Sequence, residues 1–331
     1  MKLIRTATEL QPGDRKVCLA IGVFDGVHLG HQQIIRQTIA DARQHDALAV
    51  VLTFDRHPSA VVAPDRVPPL IYAPSQKLRA IEALGADALL IIRFDKEFSE
   101  QTGEAFIRSL SRDLGRLQSI CVGADFVFGH KRSGNVALLK TLGGELGFAV
   151  HGIAAVALDG QVVSSTRIRE AIRAGDFDTA SQMLGRAYSL AATVVAGDKI
   201  GSQLGFPTAN LNTAGFVLPP NGVYAALVTR RTGVAPVSSQ SPAQAEEQYG
   251  DRRDVCPTHR AVLNIGHRPT LSHPTPQLRV EAHLLDFTGN LYGEELEVTF
   301  AGKLRAEQKF ACLDDLKAQI TRDIAEARNR F

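Results

Sequence analysis

The sequence GVFDGVHLGH, at residues 22–31, decides the fold of the first half of the chain. A strand is predicted to run into it over Val17–Val23, and a helix with apolar residues on one side is predicted to leave it over Gly30–Arg43. Apolar, strand-length runs and amphipathic helices go on alternating as far as a helix predicted over Ser164–Ala174, and one of these helices is expected to be capped by Ser75. This alternation predicts a parallel sheet covered by helices on both faces.

A different pattern begins near residue 187, where strands follow one another without helices between them. The predicted strands are Ala191–Ala196, Gly222–Thr229, Arg260–Ile265, Arg279–Leu285 and Leu296–Phe300. Successive strands of this kind predict an antiparallel barrel or sandwich, and a helix over Cys312–Arg328 is predicted to follow them. The sequence therefore predicts two domains, residues 1–186 and 187–331.

Residues 231–258 interrupt the second domain with a stretch rich in Ser, Ala, Gln, Pro and charged residues. Few large apolar side chains occur in it, so it cannot bury enough surface to fold alone. We predict that it is a mobile insertion between two strands.

The composition limits the classes of partner. The 331 residues carry a net charge of +2, which gives no bulk reason to expect nucleic acid or an anionic membrane as partner. The N-terminus lacks an apolar signal core, the longest apolar runs are strand-length, and the four cysteines are far apart in sequence. We expect a cytoplasmic enzyme that acts on small molecules, as a monomer or weak homo-oligomer.

The turn at residues 22–31 has the features of a phosphate-binding site. Gly22 and Gly26 permit a tight turn and a close approach of the backbone to a ligand. The following helix N-terminus offers free N–H groups, and His28 and His31 can reach one phosphate from the same turn. Ligands of open α/β sheets bind beyond the carboxyl ends of the strands, as here. Two alternatives are a glycine-rich turn with incidental histidines and a metal site, although no third ligand is evident.

A second strand-to-helix turn reads VSSTRIR over residues 163–169. The hydroxyl and N–H groups of Ser164, Ser165 and Thr166 could hold phosphate oxygens, and Arg169 could place a guanidinium on departing pyrophosphate. Taken alone, this segment could also be an ordinary helix N-cap.

The pairing of HLGH with SSTRIR resembles the nucleotidyltransferase superfamily, which implies a Rossmann-like domain. The chemistry implied is attack of a phosphate on the α-phosphorus of ATP with expulsion of pyrophosphate. That nucleophile is already anionic, so positioning and charge stabilisation suffice without a general base. The ATP-binding residues implied are Gly22, Phe24, Asp25, Gly26, His28, His31, Ser164, Ser165, Thr166 and Arg169.

The second domain opens with GDKIGSQLGFPTANL over residues 197–211, which lacks the ending and the helix of a Walker P-loop. Pro207 keeps the segment extended, so Thr208 and Asn210 are expected to point to the same side. A hydroxyl and an amide oxygen placed together suit Mg²⁺. The alternative is a Gly/Pro turn before a barrel strand, with Asn210 capping a loop.

Glu281 lies in the alternating strand RVEAHLLDF, where it shares a face with His283. A carboxylate beside a phosphate and a metal ion would suit a general base acting on an alcohol. The alternative is a solvated glutamate on a strand.

Several segments of the second half resemble the riboflavin kinase module: GFPTANL (205–211), NGVY (221–224), NIGHRPT (264–270), EAH (281–283), and DF with LYG (286–293). With the N-terminal motifs, nearly the whole chain resembles the bacterial bifunctional riboflavin kinase/FMN adenylyltransferase family, the FAD synthetases. The resemblance implies a six-stranded kinase barrel that makes FMN from riboflavin and MgATP. It also implies an α/β module that adenylylates FMN to FAD.

The resemblance also implies roles for individual residues. Thr208 and Asn210 would bind Mg²⁺ and phosphate, and Glu281 would accept the proton of the flavin 5′-hydroxyl. Gly197, Gly201, Gly205 and Phe206 would complete the kinase ATP loop. The flavin of the adenylyltransferase would contact Phe54, His57, Pro58, Asp125 and Phe128, while core packing is an equal alternative for Phe126.

Overall fold

The computed structural model describes residues 1–197, 200–231, 257–268 and 277–331. Residues 232–256 of the predicted insertion lie outside these ranges, while its end residues Arg231 and Thr258 belong to strands. The chain forms two compact units, the first comprising Met1–Leu70 with Gln76–Ser165 and the second Ile71–Ser75 with Thr166–Phe331. None of the described helices is long and apolar enough to span a bilayer.

The first unit is built on a six-stranded sheet in which every neighbouring pair is parallel. Its strands are β1 (Lys2–Ile4), β2 (Val17–Ile21), β3 (Leu48–Phe54), β4 (Ala88–Ile92), β5 (Leu117–Gly123) and β8 (Ala149–Ile153), and short pairs are formed by β6 (Val127–Phe128) with β7 (Gly134–Asn135) and β9 (Ala157–Leu158) with β10 (Gln161–Val162). The helices up to the unit boundary are α1 (Leu29–Gln44), α2 (Ser59–Val62), α3 (Pro74–Glu82), α4 (Lys96–Ser99), α5 (Gly103–Asp113) and α6 (Val136–Leu146), and α7 (Ser165–Ala174) begins there.

The sheet is buried on both faces, as the alternation of strands and helices predicts. In β2, Val17, Leu19 and Ile21 pack into the core on one face, while Cys18 and Ala20 pack into the core on the other. The strand order is β1-β4-β3-β2-β5-β8, so the chain passes from β2 to β3 and β4 on one side and then crosses back to β5 on the other side of β2. Such a reversal creates a crevice at the carboxyl ends of the strands, where open α/β sheets bind ligands.

The predicted cap of α3 is wrong. This helix begins at Pro74, so Ser75 lies inside its first turn rather than before it. Proline is favoured at the first helical position because its fixed φ suits the helix and its missing N–H would have no partner there.

The second unit is a closed barrel, which decides between the barrel and the sandwich left open by the sequence. The elements are α8 (Phe177–Leu184), β11 (Ser189–Val195), α9 (Ile200–Gln203), β12 (Ala209–Leu211), β13 (Gly222–Arg231), β14 (Thr258–Arg268), β15 (Gln277–Leu284), β16 (Glu295–Arg305) and α10 (Leu313–Asn329). The strand order of the barrel is β11-β12-β15-β14-β13-β16, with antiparallel neighbours.

An ion pair fastens α10 to the barrel. Arg305, at the end of β16, donates from Nε and Nη2 to the carboxylate of Asp323 at 2.8–3.1 Å. The Asp323 side chain is 4% exposed and that of Arg305 is 20% exposed. Gln319 donates to the same carboxylate at 2.8 Å, so the buried oxygens are satisfied.

Asp323→Ala is expected to lower the free energy of unfolding by about 2–3 kcal/mol, because Arg305 would remain largely buried without its partner. Urea unfolding of the full chain, followed by circular dichroism, measures the change. The matched control is Glu326→Ala on the same helix, which breaks an exposed pair with Arg330 and should change stability by less than about 1 kcal/mol. Equal losses for the two variants would contradict the fastening role.

Candidate active sites

The turn between β2 and α1 is strained. Phe24 and Val27 have φ of 52° and 41°, and both side chains are fully buried. Positive φ is uncommon outside glycine and is an outlier for a β-branched residue. Each such conformation raises the energy by about 1–3 kcal/mol and persists where the surroundings enforce it, often at a functional site. Gly26 lies between them with φ of 79°.

Gly22 provides the space that this turn needs. A Cβ atom at this position would lie 2.8 Å from the ring of Phe24. Any larger residue would push the ring out of the core and change the course of the turn. The sequence predicts that Gly22 lets the backbone approach a ligand. In the structure, this glycine makes room for the ring of Phe24.

The two histidines of the turn form a stacked pair, with ring centroids 3.6 Å apart and planes 21° from parallel. His28 caps α1, because its Nδ1 accepts from the backbone N–H of His31 at 3.4 Å. His31 Nδ1 is buried and has no hydrogen-bond partner within the described residues. Burial lowers the pKa of His31 well below its ordinary value, and the charges of His28 and Lys77 lower it further. The ring of His31 is thus neutral, with one nitrogen left for a ligand.

The second predicted motif reaches the same turn. Ser165 Oγ donates to the backbone carbonyl of Asp25 at 3.1 Å, and the Asp25 side chain is buried. Ser164 precedes α7, while Thr166 and the buried Arg169 lie on it, just beyond the boundary of the first unit. The structure therefore joins the His-containing turn to the start of the Ser-Ser-Thr helix.

Lys77, on α3, is a polar residue of this region that the sequence analysis missed. Its Nζ lies 3.1 Å from Thr53 Oγ1, 3.2 Å from the Phe54 carbonyl and 3.4 Å from the Val23 carbonyl. Burial lowers the pKa of this ammonium to about 8, against the opposing effects of Asp25 and Asp55. No motif marks it, since Lys77 sits in an ordinary amphipathic helix.

A cavity of about 670 Å³, here called the phenylalanine cavity, opens beside the turn. Ile21 and Val23 lie on its wall, together with Lys96 and His130. Its six phenylalanines are Phe54, Phe94, Phe98, Phe106, Phe126 and Phe128. The rings of Phe126 and Phe128 stack with centroids 5.1 Å apart. The space is mainly aromatic, which suits a flat ring system.

The predicted flavin residues divide into two groups. Phe54, Pro58 and Phe128 line the phenylalanine cavity, whereas His57 and Asp125 do not. His57 Nδ1 instead accepts from the backbone N–H of Ser59 at 3.2 Å, and Asp125 is exposed.

Polar side chains form a row across three neighbouring strands of the barrel. Glu281 pairs in register with Asn210 on one side and with Asn264 on the other. Direct neighbours of this kind have Cβ atoms about 4.5–5.5 Å apart. All three line a cavity of about 440 Å³ with Thr208, and residues of α10 form another part of its wall. We call it the helix-side cavity.

The glycine-rich segment before β12 packs closely on these side chains. A Cβ atom on Gly197 would lie 2.1 Å from Asn210 Nδ2, so only glycine leaves that amide in place. Gly201 and Phe206 line the helix-side cavity, and Gly205 turns the chain with φ of 91°. His283 Nδ1 donates to the Pro207 carbonyl at 2.7 Å, which fastens this segment to β15.

A second cavity of the barrel, of about 560 Å³, lies against residues 287–292. We call it the loop-side cavity. Pro207, Thr208 and Ala209 line it, so Thr208 borders both cavities of the barrel.

Comparisons with known proteins match the two halves of the chain to two families. A family model described as FAD synthetase matches residues 10–167, and one described as riboflavin kinase matches residues 184–331. Bifunctional riboflavin kinase/FMN adenylyltransferases from Haemophilus influenzae and Escherichia coli K12 are 34% and 36% identical over the whole chain, covering 99% and 98% of those proteins. A crystal structure named as a macrolide-efflux protein from Streptococcus pneumoniae has a TM-score of 0.76 at 26% identity, covering 99% of this chain and 98% of that one.

Proposed function

The chain belongs to the family of bifunctional riboflavin kinases/FMN adenylyltransferases, and on that basis we propose how its residues divide the two activities. The protein phosphorylates riboflavin to FMN with ATP and adenylylates FMN to FAD, releasing pyrophosphate. We assign adenylyl transfer to residues 1–186 and the kinase to residues 187–331. The ranges of the two matching family models support this division.

For adenylyl transfer, we assign the flavin ring of FMN to the phenylalanine cavity and the ATP phosphates to the turn at residues 22–31. The observation that carries this assignment is the buried Nδ1 of His31, which has no partner within the described residues. Burying a polar atom without a hydrogen bond is unfavourable by about 1–3 kcal/mol, which a phosphate oxygen would relieve. His28, Ser165 and backbone N–H groups would join it.

The transfer itself needs no proton acceptor in this scheme. A phosphate oxygen of FMN forms a bond to the α-phosphorus of ATP, and the bond from that phosphorus to the bridging oxygen breaks, so pyrophosphate leaves. The protein aligns the two phosphates and stabilises the charge on the five-coordinate phosphorus. We assign that stabilisation to His28, His31 and Arg169. No carboxylate is assigned as a base here, because the attacking phosphate of FMN is already anionic.

For the kinase, we assign riboflavin to the helix-side cavity and ATP to the loop-side cavity, with the γ-phosphate near Thr208. Glu281 lines the helix-side cavity, within reach of an alcohol there. It takes the proton of the 5′-hydroxyl as that oxygen forms a bond to the γ-phosphorus. The bond from the γ-phosphorus to the bridging oxygen breaks, and ADP leaves.

We assign a Mg²⁺ ion to Thr208 and Asn210. Their hydroxyl and amide oxygens border the same cavity, and Mg²⁺ takes a few protein oxygens together with phosphate and water. Bound there with ATP, the ion would supply neutralisation of the charge on the triphosphate. We further propose that the protein works in the cytoplasm on small molecules, without nucleic acid or membrane partners, as a monomer or weak homo-oligomer; its small net charge supports this.

Both activities are expected of the purified full chain. Incubated with riboflavin and MgATP, it should form FMN and then FAD, with one pyrophosphate released per FAD. Supplied with FMN instead, it should form FAD without ADP. Chromatography of the flavins and an enzymatic pyrophosphate assay measure these products. A flavin carrier without catalysis is the alternative; it would bind flavin and consume no ATP, and that result would refute the proposal.

A further inference from the structure

Lys77 is half-buried in a part of the first unit where an ammonium is costly to place. Taking a charge out of water is unfavourable unless it is paired and hydrogen-bonded. Its hydrogen-bond partners are two carbonyl oxygens and a hydroxyl, none of which carries a formal charge. Asp25 and Asp55 act on it electrostatically, but not strongly enough to offset the effect of burial. Ionisable groups in such surroundings are concentrated at functional sites.

The three partners of the ammonium belong to two different segments of the adenylyl-transfer site. Val23 directly precedes Phe24, the first strained residue of the histidine turn. Phe54 ends β3, and its ring lines the phenylalanine cavity. Thr53 joins the two segments, because its Oγ1 accepts a hydrogen bond from the Lys77 ammonium at 3.1 Å and donates one to the Val23 carbonyl at 2.9 Å. The ammonium therefore links the histidine turn at residues 22–31 to Phe54 on the wall of the phenylalanine cavity.

We propose that Lys77 is a positioning residue for adenylyl transfer. It sets the distance between the histidine turn and Phe54 on the wall of the phenylalanine cavity. This inference rests on the assignment of ATP and FMN to those two places. An in-line reaction depends steeply on such a distance, because a misplacement of about 1 Å can lower a rate about 10²-fold. Lys77 touches neither substrate in this role and acts through the backbone that carries His28 and His31.

The charge on Lys77 gives the role a pH dependence. The groups that face it are Asp25 and Asp55, which favour its charged form, and His31, which is stacked on His28. With a pKa of about 8, the ammonium is charged at pH 7 and loses its proton as the pH rises above 8. The kcat/KM for FMN adenylylation, which reports the free enzyme, should therefore fall as pH rises through about 8. His31 stays neutral throughout that interval.

The test compares Lys77→Met and Lys77→Arg in the full chain. Lys77→Met should lower kcat/KM for FMN adenylylation about 10²-fold, while the kinase rate of the same molecules stays within twofold. Lys77→Arg should restore activity to within tenfold of the unmodified chain, and its guanidinium should remove the fall near pH 8. The matched control is Lys140→Met, an exposed lysine of the same unit, which should leave both rates and the pH profile unchanged.

Three outcomes would overturn the role of Lys77: adenylylation by Lys77→Met within threefold of the unmodified chain, no rescue by Lys77→Arg, or an unchanged alkaline fall in Lys77→Arg. If Lys77→Met does not fold, the pH profile of Lys77→Arg decides alone. His28→Ala is assayed in parallel. Loss of adenylylation in His28→Ala but not in Lys77→Met refutes only the role of Lys77, whereas no loss in either refutes the underlying site assignment.

Discussion

Glu281→Ala should abolish the formation of FMN from riboflavin while leaving the conversion of FMN to FAD largely intact. The riboflavin hydroxyl must lose a proton as it attacks, and Glu281 stands between Asn210 and Asn264 in the polar row of the helix-side cavity. A positioned base of this kind contributes about 10²–10⁴-fold to the rate. Initial rates of flavin products, measured separately with riboflavin and with FMN, give the two effects.

Two controls make the Glu281 result specific. Glu281→Gln keeps the shape of the side chain but cannot take up the proton, so it should lose nearly as much kinase activity as the alanine variant. Glu326→Gln, at an exposed position of α10, should retain both activities. Equal losses of both activities in Glu281→Ala would count against separate sites, and a fully active Glu281→Gln would exclude the role as base.

His28→Ala should have the converse effect, with FAD formation from FMN lowered about 10²–10³-fold, the scale found when one stabilising group is removed from a reacting centre. Phosphorylation of riboflavin should continue at its original rate, because the helix-side cavity and the polar row are built from residues of the second unit. Assays with FMN and ATP, following pyrophosphate release, measure the loss. Unchanged FAD formation would remove His28 from the mechanism.

A structural effect of the same substitution must be separated from the chemical one. His28 also caps α1, so alanine removes a helix cap as well as an imidazole. His28→Asn is the matched variant, since asparagine is a good N-cap but offers no imidazole. We expect His28→Asn to restore the melting temperature and to remain slow in adenylyl transfer. Full recovery of the rate by asparagine would show that only the cap matters.

The fold could be predicted where the pattern was long and regular. Alternating strands and helices indicated the parallel sheet, and the structure confirms it. The β1 strand was missed, because its three residues are too few to show a period. The choice between a barrel and a sandwich depended on closure by β12, a strand of three residues that follows Pro207. Closure is a property of pairing between distant segments, which local patterns do not contain.

The candidate sites, like the fold, could be predicted from the sequence only where the residues concerned lie close together in it. Residues in compact motifs, such as His28, His31, Thr208 and Asn210, could be proposed from the sequence because the chemistry needs neighbours at short spacing. Lys77 could not, since its partners come together only when α3 packs across the ends of β2 and β3. The phenylalanine cavity was found only in part for the same reason. Three of its rings, Phe94, Phe98 and Phe106, lie outside the segments that drew attention.

Closure of the barrel has a consequence for how copies of the chain can associate. Each described barrel strand has hydrogen-bonded neighbours on both sides, so these six strands offer no free edge to which a strand of another molecule could add. The sheet of the first unit is open, and β1 and β8 are its outer strands. Among the strands that the structure describes, sheet extension between molecules is therefore confined to the first unit.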